Sequence, residues 1–251
     1  MSEWLVLVIA MAAACAVVLS ITVLRERRVG EDFDPTETPD VIEYMTMMIG
    51  VVYAIVLGLA IAGVWEARTS AQDTVRAEAQ ALHEVSERVQ AYAPDARDRI
   101  RKDVDAYVSQ VVRKEWPVML EEGRLTDRGT ELLDKVRQDV TAYQPRDDHE
   151  SQSYQPLLDQ VAAADAARNS RAQNAGPTMP GVVWFGLIAG ALVAVGLIFT
   201  LQIRRSAREL LLAGLYSALI AFLLFLIWDF NSPFGHEVDD VTAPFTDLFA
   251  I

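Results

Sequence analysis

The sequence has few of the residues and motifs that mark catalytic chemistry. Its 251 residues include one cysteine, Cys15, which excludes a disulfide framework and a cysteine-type zinc site. Glycine-rich phosphate loops, HExxH metal motifs and GxSxG nucleophile motifs are absent, and the three histidines, His83, His149 and His236, are scattered. The sequence therefore predicts neither an enzyme nor a resident cofactor.

Positive charge is also scarce. The chain has 22 Lys and Arg against 35 Asp and Glu, which gives a formal net charge of −13. Nucleic-acid affinity depends on clustered basic side chains that release counterions from phosphates. The charge balance therefore argues against a nucleic-acid partner.

Charge of either sign is missing from four apolar stretches. They cover residues 4–24, 44–65, 179–203 and 210–228. Each approaches the roughly 20 residues that an α-helix needs to cross a bilayer. Proton relays, voltage sensors and ion-coupled transporters usually need ionisable groups inside the membrane, whereas an apolar pore gated by dewetting does not. The sequence thus predicts a multi-pass protein of the cell membrane.

A long polar segment separates the two pairs of spans. The predicted organisation is a first helix pair at 1–65, a helical soluble domain at 66–178 continuous with the second span, a second helix pair at 179–229, and an acidic, solvated tail at 230–251. The predicted fold class is all-α, with four transmembrane helices and a helical insert between the second and third spans.

Apolar residues at alternating spacings of three and four predict three helices in the insert. The stripes are Val75, Ala79, Leu82, Val85 and Val89, continuing the second span from about residue 44 to Tyr92; Ile100, Val104, Tyr107 and Val111; and Leu133, Val136, Val140 and Tyr143. Pro94 is expected to end the first helix, and Glu115, Trp116 and Pro117 to close the second.

Two segments of the insert are similar to each other. DRIRKDVDAY at 98–107 and DKVRQDVTAY at 134–143 agree in six of ten positions. Either a duplication or convergence on one amphipathic pattern explains this similarity.

Basic residues at the membrane edges bear on orientation and on partners. The short connections between spans carry Arg25, Arg27, Arg28, Arg204, Arg205 and Arg208. The positive-inside rule places those connections in the cytoplasm and the insert outside. Arg168 and Arg171, close to the third span, are expected to contact lipid head groups or helix-end carbonyls.

Small residues in the third span indicate close helix contacts. Gly186 and Gly190 form a GxxxG pair, with Ala194 four positions further on. Either homo-oligomerisation or packing within one chain uses such a pattern.

Three segments of the chain carry recognisable motifs: GVVYAIVLGLAIAGVWEARTSAQDTVRAEAQAL at 50–82, VVRKEWP at 111–117 and WDFNSPFG at 228–235. Together they resemble the bacterial bestrophin-like domain family, whose function is unassigned, and more distantly the bestrophins. The residues that carry the resemblance are Trp65, Glu66, Arg68, Glu115, Trp116, Pro117, Pro233, Phe234 and Gly235. Bestrophins are pentameric ion channels that keep their helical domain in the cytosol, so the resemblance and the arginine count imply opposite orientations.

The resemblance also implies a hydrophobic pore neck on the second span. With Leu59 as the anchor, the same helix face holds Ile55 and Val51 one and two turns earlier. These three residues are the predicted neck; helix packing or lipid contact is the alternative role.

The Pro-Phe-Gly motif at 233–235, which follows the fourth span, can be compared with the calcium-activated bestrophins. In calcium-activated bestrophins an acidic clasp follows such an exit, and here Glu237, Asp239 and Asp240 follow it. Calcium takes 6 to 8 oxygen ligands. These carboxylates are a weak calcium candidate, and a solvated acidic tail is the favoured interpretation.

The corner at 115–117 is expected to be structural, with Trp116 as an anchor and Glu115 paired to an arginine. Two functions follow from the whole sequence. One is a homo-oligomeric channel for monatomic ions, a pentamer by resemblance. The other is a non-conducting scaffold or sensor whose insert binds a protein or ligand.

Overall fold

A computed structural model describes residues 40–198, 207–234 and 238–249. The regular elements in these three ranges are all helices, which confirms the all-α fold class. The predicted first span with Cys15, and the side chains of the arginines in the short connections, lie outside the described residues.

Eight α-helices make up the described part of the chain. They are α1 (Asp40–Arg88), α2 (Pro94–Gln110), α3 (Trp116–Glu122), α4 (Asp127–Thr141), α5 (Asp148–Gln173), α6 (Gly181–Ile198), α7 (Ala207–Phe230) and α8 (Val238–Leu248). A 3₁₀ turn, Val89–Ala91, follows α1, and a π-helical turn, Val111–Glu115, joins α2 to α3.

Two of these helices are long and apolar enough to cross a bilayer, judged by length and composition. They are Tyr44–Ala91 and Leu211–Phe230, while Gly181–Leu197 is apolar but shorter. The count of four spans therefore stays a prediction. The long helix α1 has 49 residues and extends about 74 Å.

The described residues form two compact units. The apolar unit comprises the described residues up to Trp65 and those from Met179 to Asn231. The polar unit comprises residues 66–178 and the described residues from Ser232 onward. Helix α1 contributes to both units.

Tyr53 on α1 lies at the centre of the apolar unit's packing. Its ring rests on Gly190 of α6, where an added Cβ would lie 2.6 Å from Tyr53 Cε2. Its hydroxyl donates to the carbonyl of Leu187 at 2.8 Å. Gly190 therefore serves packing within one chain, whereas a Cβ on Gly186 would meet no described atom within 4 Å.

The polar unit is built on the three predicted stripes. Their members are buried, and Val85, Val104 and Val136 are fully so. The apolar periodicity of the insert is thereby confirmed, because each stripe lies on the helix face that packs into one common core.

The corner after α2 differs from the prediction. Pro117 does not close the helix; it lies in the first turn of α3, directly after the π-helical turn. The chain stays helical to Glu122. The helix ends at Gly123, whose φ of 66° is the left-handed conformation that glycine adopts at little cost.

The C-terminal segment also differs from a solvated tail in its described part. Val241 and Phe245 of α8, and Phe249 directly after it, recur at a spacing of four and are buried in the core of the polar unit. The apolar side of this segment is therefore part of the fold.

Candidate functional site

Four charged side chains meet inside the polar unit, and we refer to them as the ionic cluster: Glu78, Glu115, Arg168 and Arg171. Arg171 Nε donates to Glu78 Oε2 at 2.7 Å, and Arg171 Nη2 donates to Glu115 Oε1 at 2.8 Å. The side chains of Glu78, Glu115 and Arg171 are fully buried. Arg171 thus bridges two carboxylates that have no access to water.

Arg168 completes the ionic cluster from the other side of Glu115. It forms a two-pronged pair with that carboxylate, in which Nη2 lies 2.9 Å from Oε2 and Nη1 also donates to Oε1. Thr126 adds its backbone N–H and its hydroxyl to Glu115 Oε2 at 3.1 and 2.7 Å. Each oxygen of Glu115 therefore accepts at least two hydrogen bonds, which is what a buried carboxylate needs.

Local sequence explains how these groups meet. Arg168 and Arg171 are three positions apart on α5 and so lie on one helix face. The π-helical turn Val111–Glu115 adds a residue to its turn and so changes the direction in which Glu115 projects.

Gly129 makes room for the ionic cluster at the start of α4. A Cβ at this position would collide with Glu115 Oε2 and lie 2.7 Å from Arg168 Nη2. Only glycine leaves that space free.

Aromatic rings close the ionic cluster. Tyr107 donates to Glu78 Oε1 at 2.5 Å, and the Arg168 guanidinium lies 5.6 Å from the centre of its ring. The Arg171 guanidinium lies 5.2 Å from the Trp116 ring, which contacts Phe234 edge-on at 5.5 Å. Such cation–π contacts gain strength in desolvated surroundings.

The electrostatics favour the charged forms of Glu115, Arg168 and Arg171. Burial alone would raise the pKa of Glu115, but the hydrogen bond from Arg168 and the charges of Arg171 and Arg168 outweigh it and lower the pKa to about 2. Burial would likewise lower the pKa of Arg171, and Glu78 raises it instead. Burial and Glu78 raise the pKa of Tyr107. Two arginines pair with two glutamates, and these ion pairs join the helices that carry them.

These contacts decide two predictions. The pairing of Glu115 with an arginine is confirmed. The prediction of lipid head groups around Arg168 and Arg171 was wrong, because both side chains are buried in ion pairs; Arg168 Nη2 also donates to the carbonyl of Thr126, the N-cap of α4, at 3.2 Å. The spacing of three on an Ala-rich helix was the signal for one shared partner.

The predicted neck residues lie on one exposed face of α1. Val51, Ile55 and Leu59 are 56%, 58% and 69% exposed in the single chain. Tyr53 and Leu57, two positions away in sequence, are buried in the apolar unit. Positions two apart on an α-helix differ by about 200° around the axis, so the exposed face lies opposite the buried one.

The other residues singled out in the sequence are dispersed. Trp65, more than half exposed, contacts Phe230 edge-on at 5.2 Å within the apolar unit. Glu66 is exposed and Arg68 half-buried in the polar unit, where Pro233 is buried.

The calcium candidates fall outside what the structure describes. Gly235 and Glu237 are not among the described residues, and Asp239 and Asp240 belong to α8 with side chains that are not described. Within the described ranges, no group of three or more His, Cys, Asp or Glu is arranged to hold a metal ion. The calcium candidate remains a prediction from the sequence.

Comparison with known families decides the relationship. The family model described as Bestrophin-like domain matches residues 12–239 of the 251-residue chain. The chain belongs to the bestrophin-like domain family. It is therefore a bestrophin-like membrane protein, and the family resemblance seen in its sequence is confirmed.

Solved structures share the bestrophin-like fold at low identity. A membrane protein matches with a TM-score of 0.64 and 12% identity over 99% of both chains. A bacterial bestrophin homologue from Klebsiella pneumoniae matches with a TM-score of 0.63 and 11% identity over 96% of both chains. A point variant of the Klebsiella homologue matches with a TM-score of 0.62 and 13% identity over 99% of both chains. Among curated proteins, no relative matches.

Proposed function

We propose that the chain is one subunit of a homo-oligomeric ion channel in the plasma membrane, with Val51, Ile55 and Leu59 as its hydrophobic neck. The resemblance to bestrophins sets the proposed subunit number at five. Each subunit contributes one copy of α1 to the wall of the pore, and monatomic ions pass without a catalytic step.

The observation that carries the proposal is the direction of the α1 face. The buried face of the helix, with Tyr53 and Leu57, packs against α6 and α7 of the same chain. The opposite face presents Val51, Ile55 and Leu59 outward. An apolar face of this kind is suited to a partner or to lipid rather than to water.

Charge distribution supports a passive path. The stretch of α1 from Tyr44 to Trp65 contains no Asp, Glu, Lys, Arg or His. A ring of apolar side chains gates by dewetting and needs no fixed charge. Helices packed side by side in one subunit enclose a core of side chains, so a water path requires several subunits.

Subunit number is the first test. Native mass spectrometry of the full-length protein in detergent is expected to give a pentamer. A ring with another number of subunits, four or more, is consistent with a pore lined by α1 but contradicts the proposed number of five. A monomer or dimer contradicts the channel and favours the scaffold or sensor.

Conductance tests the neck directly. The double variant Ile55→Ala, Leu59→Ala widens the apolar ring and is expected to raise single-channel conductance in planar bilayers. Val56→Ala is the matched control, because Val56 is exposed but lies about 100° round the helix from Ile55. Equal conductance in the double variant and the wild type would remove these residues from the gate.

A further inference from the structure

The two similar segments of the insert lie on α2 and α4, which pack against each other. Aligning DRIRKDVDAY with DKVRQDVTAY makes Arg99 equivalent to Lys135 and Asp103 equivalent to Asp139. Equivalent residues on two paired helices are expected to make equivalent contacts.

The charged residues of the repeat pair reciprocally across the two helices. Lys135 Nζ of α4 lies 2.5 Å from Asp103 Oδ1 of α2. Arg99 Nε of α2 lies 3.5 Å from Asp139 Oδ1 of α4. Each aspartate therefore uses Oδ1 for the basic residue of the opposite helix.

The second oxygens of the two aspartates are left without a donor. Asp103 Oδ2 and Asp139 Oδ2 are buried, and neither accepts a hydrogen bond from any donor in the described part of the chain. The two ion pairs cross between neighbouring turns of α2 and α4, so both carboxyl groups lie on the same stretch of the contact between these helices. Two ionised carboxylates have no hydrogen to share, so this arrangement is satisfied only if one of them is protonated.

We propose that Asp103 and Asp139 form a proton-binding site, in which one proton shared between their Oδ2 atoms joins α2 to α4. A metal ion is a poorer occupant, because Lys135 and Arg99 already bring positive charge to both carboxylates. The site concerns the polar unit alone and is independent of ion conduction.

The surrounding charges set the direction of its pH response. The neighbouring Asp103 and burial raise the pKa of Asp139, while Arg99 and Lys135 act in the opposite direction. Charged groups on the other elements packed nearby are Asp165 of α5, paired with Arg137, and Arg113, Lys114 and Glu115 of the π-helical turn, of which Glu115 is paired with Arg168 and Arg171. The turn Val89–Ala91 has no titratable side chain.

The sign follows from proton linkage. Because the pKa of Asp139 is higher in the folded protein than its ordinary value of 3.8, the folded state binds the proton more tightly than the unfolded chain. The stabilisation is fully present below the ordinary value and is lost as the pH rises through the folded value.

The variant Asp139→Asn tests the site, because its amide donates permanently to Asp103 Oδ2 while its oxygen still accepts from Arg99. Thermal unfolding of the full-length protein in detergent is measured from about pH 4 to about pH 8. The variant is expected to match the wild type at the acidic end and to exceed its Tm by about 2–4 °C at the other end. A Tm difference that stays constant across the range, or a variant less stable at the upper end, overturns the proposal.

The matched control is Asp165→Asn. It removes a carboxylate of α5 that is paired with Arg137, a residue of the same helix as Asp139. Its Tm difference from the wild type is expected to stay constant over the range. A pH-dependent difference as large as that of Asp139→Asn would show that any lost carboxylate gives the effect, and would overturn the assignment.

Infrared difference spectroscopy gives a readout that a purely structural role does not change. In the wild type, the carbonyl stretch of one protonated carboxylic acid is expected to persist to a higher pH than that of the other carboxyl groups, and to be missing in Asp139→Asn. A wild-type spectrum in which all carboxyl groups titrate together overturns the proposal.

Discussion

Large apolar side chains are exposed in the apolar unit and buried in the polar unit. Of the exposed large hydrophobic residues in the described ranges, only Leu248 belongs to the polar unit. The polar unit also buries charged residues, namely all four members of the ionic cluster. The comparison teaches that one chain is built for two solvents: lipid is the suitable neighbour for the apolar unit, and water for the polar unit.

The interiors differ as much as the surfaces. Tyr53 and Gly190 show that the apolar unit relies on close approach between helices, which small residues permit. The polar unit adds to its apolar core a set of charges that are stable only as long as every partner is present.

The largest expected effect comes from removing one partner of the ionic cluster. Arg171→Met leaves Glu78 and Glu115 buried without their shared cation, which costs about 3–5 kcal/mol. The Tm measured by circular dichroism in detergent is expected to fall by about 6–20 °C.

The control for Arg171→Met is Arg137→Met, which breaks half-exposed pairs with Asp134 and Asp165. Exposed pairs contribute at most about 1 kcal/mol. If the two variants lose similar stability, the ionic cluster contributes no more than a surface pair, and the contrast between the units fails.

A somewhat smaller effect is expected from acid. Because the pKa of Glu115 is lowered from 4.5 to about 2, its stabilisation is present above 4.5 and is lost as the pH falls toward 2. Urea unfolding measured at decreasing pH is expected to show a loss of about 3 kcal/mol from this group. Glu115→Gln, which is less stable at neutral pH, should decline less steeply, and an equally steep decline would contradict the pairing.

The smallest of these effects belongs to the apolar unit. Gly190→Ala forces the Tyr53 ring away from α6, which costs about 1–3 kcal/mol. Gly186→Ala is the control, since its Cβ meets no described atom of the same chain within 4 Å. Thermal unfolding is expected to show a larger loss of Tm for Gly190→Ala than for Gly186→Ala. Native mass spectrometry of both variants shows which glycine is needed for association between subunits. Greater thermal destabilisation by Gly186→Ala would reverse the assignment made from the Tyr53 contact.

The sequence predicted those parts of the fold that depend on local periodicity. The stripes of α1, α2 and α4 followed from spacings of three and four, and the residues that carry them are buried. Helix α8 had a usable signal in the spacing of Val241, Phe245 and Phe249, which the acidic composition of the tail obscured.

The ionic cluster was only partly predictable, because its pairs are distant in sequence. Glu115 and Arg168 are 53 positions apart, and Glu78 and Arg171 are 93 apart. Local patterns indicate that Glu115 needs a cation but not which arginine supplies it. The direction of Glu115 also depends on the π-helical turn, which has no reliable signature in a single sequence.

The separation of Glu78 from Arg171 has a consequence during synthesis. A ribosome that adds about 5–20 residues per second needs on the order of 5–20 s to reach Arg171 after it has placed Glu78. Throughout that interval the Glu78 carboxylate lacks the arginine that pairs with it in the folded protein. The nascent polar unit therefore closes late, when α5 has emerged, and Arg171 is the residue whose arrival completes it.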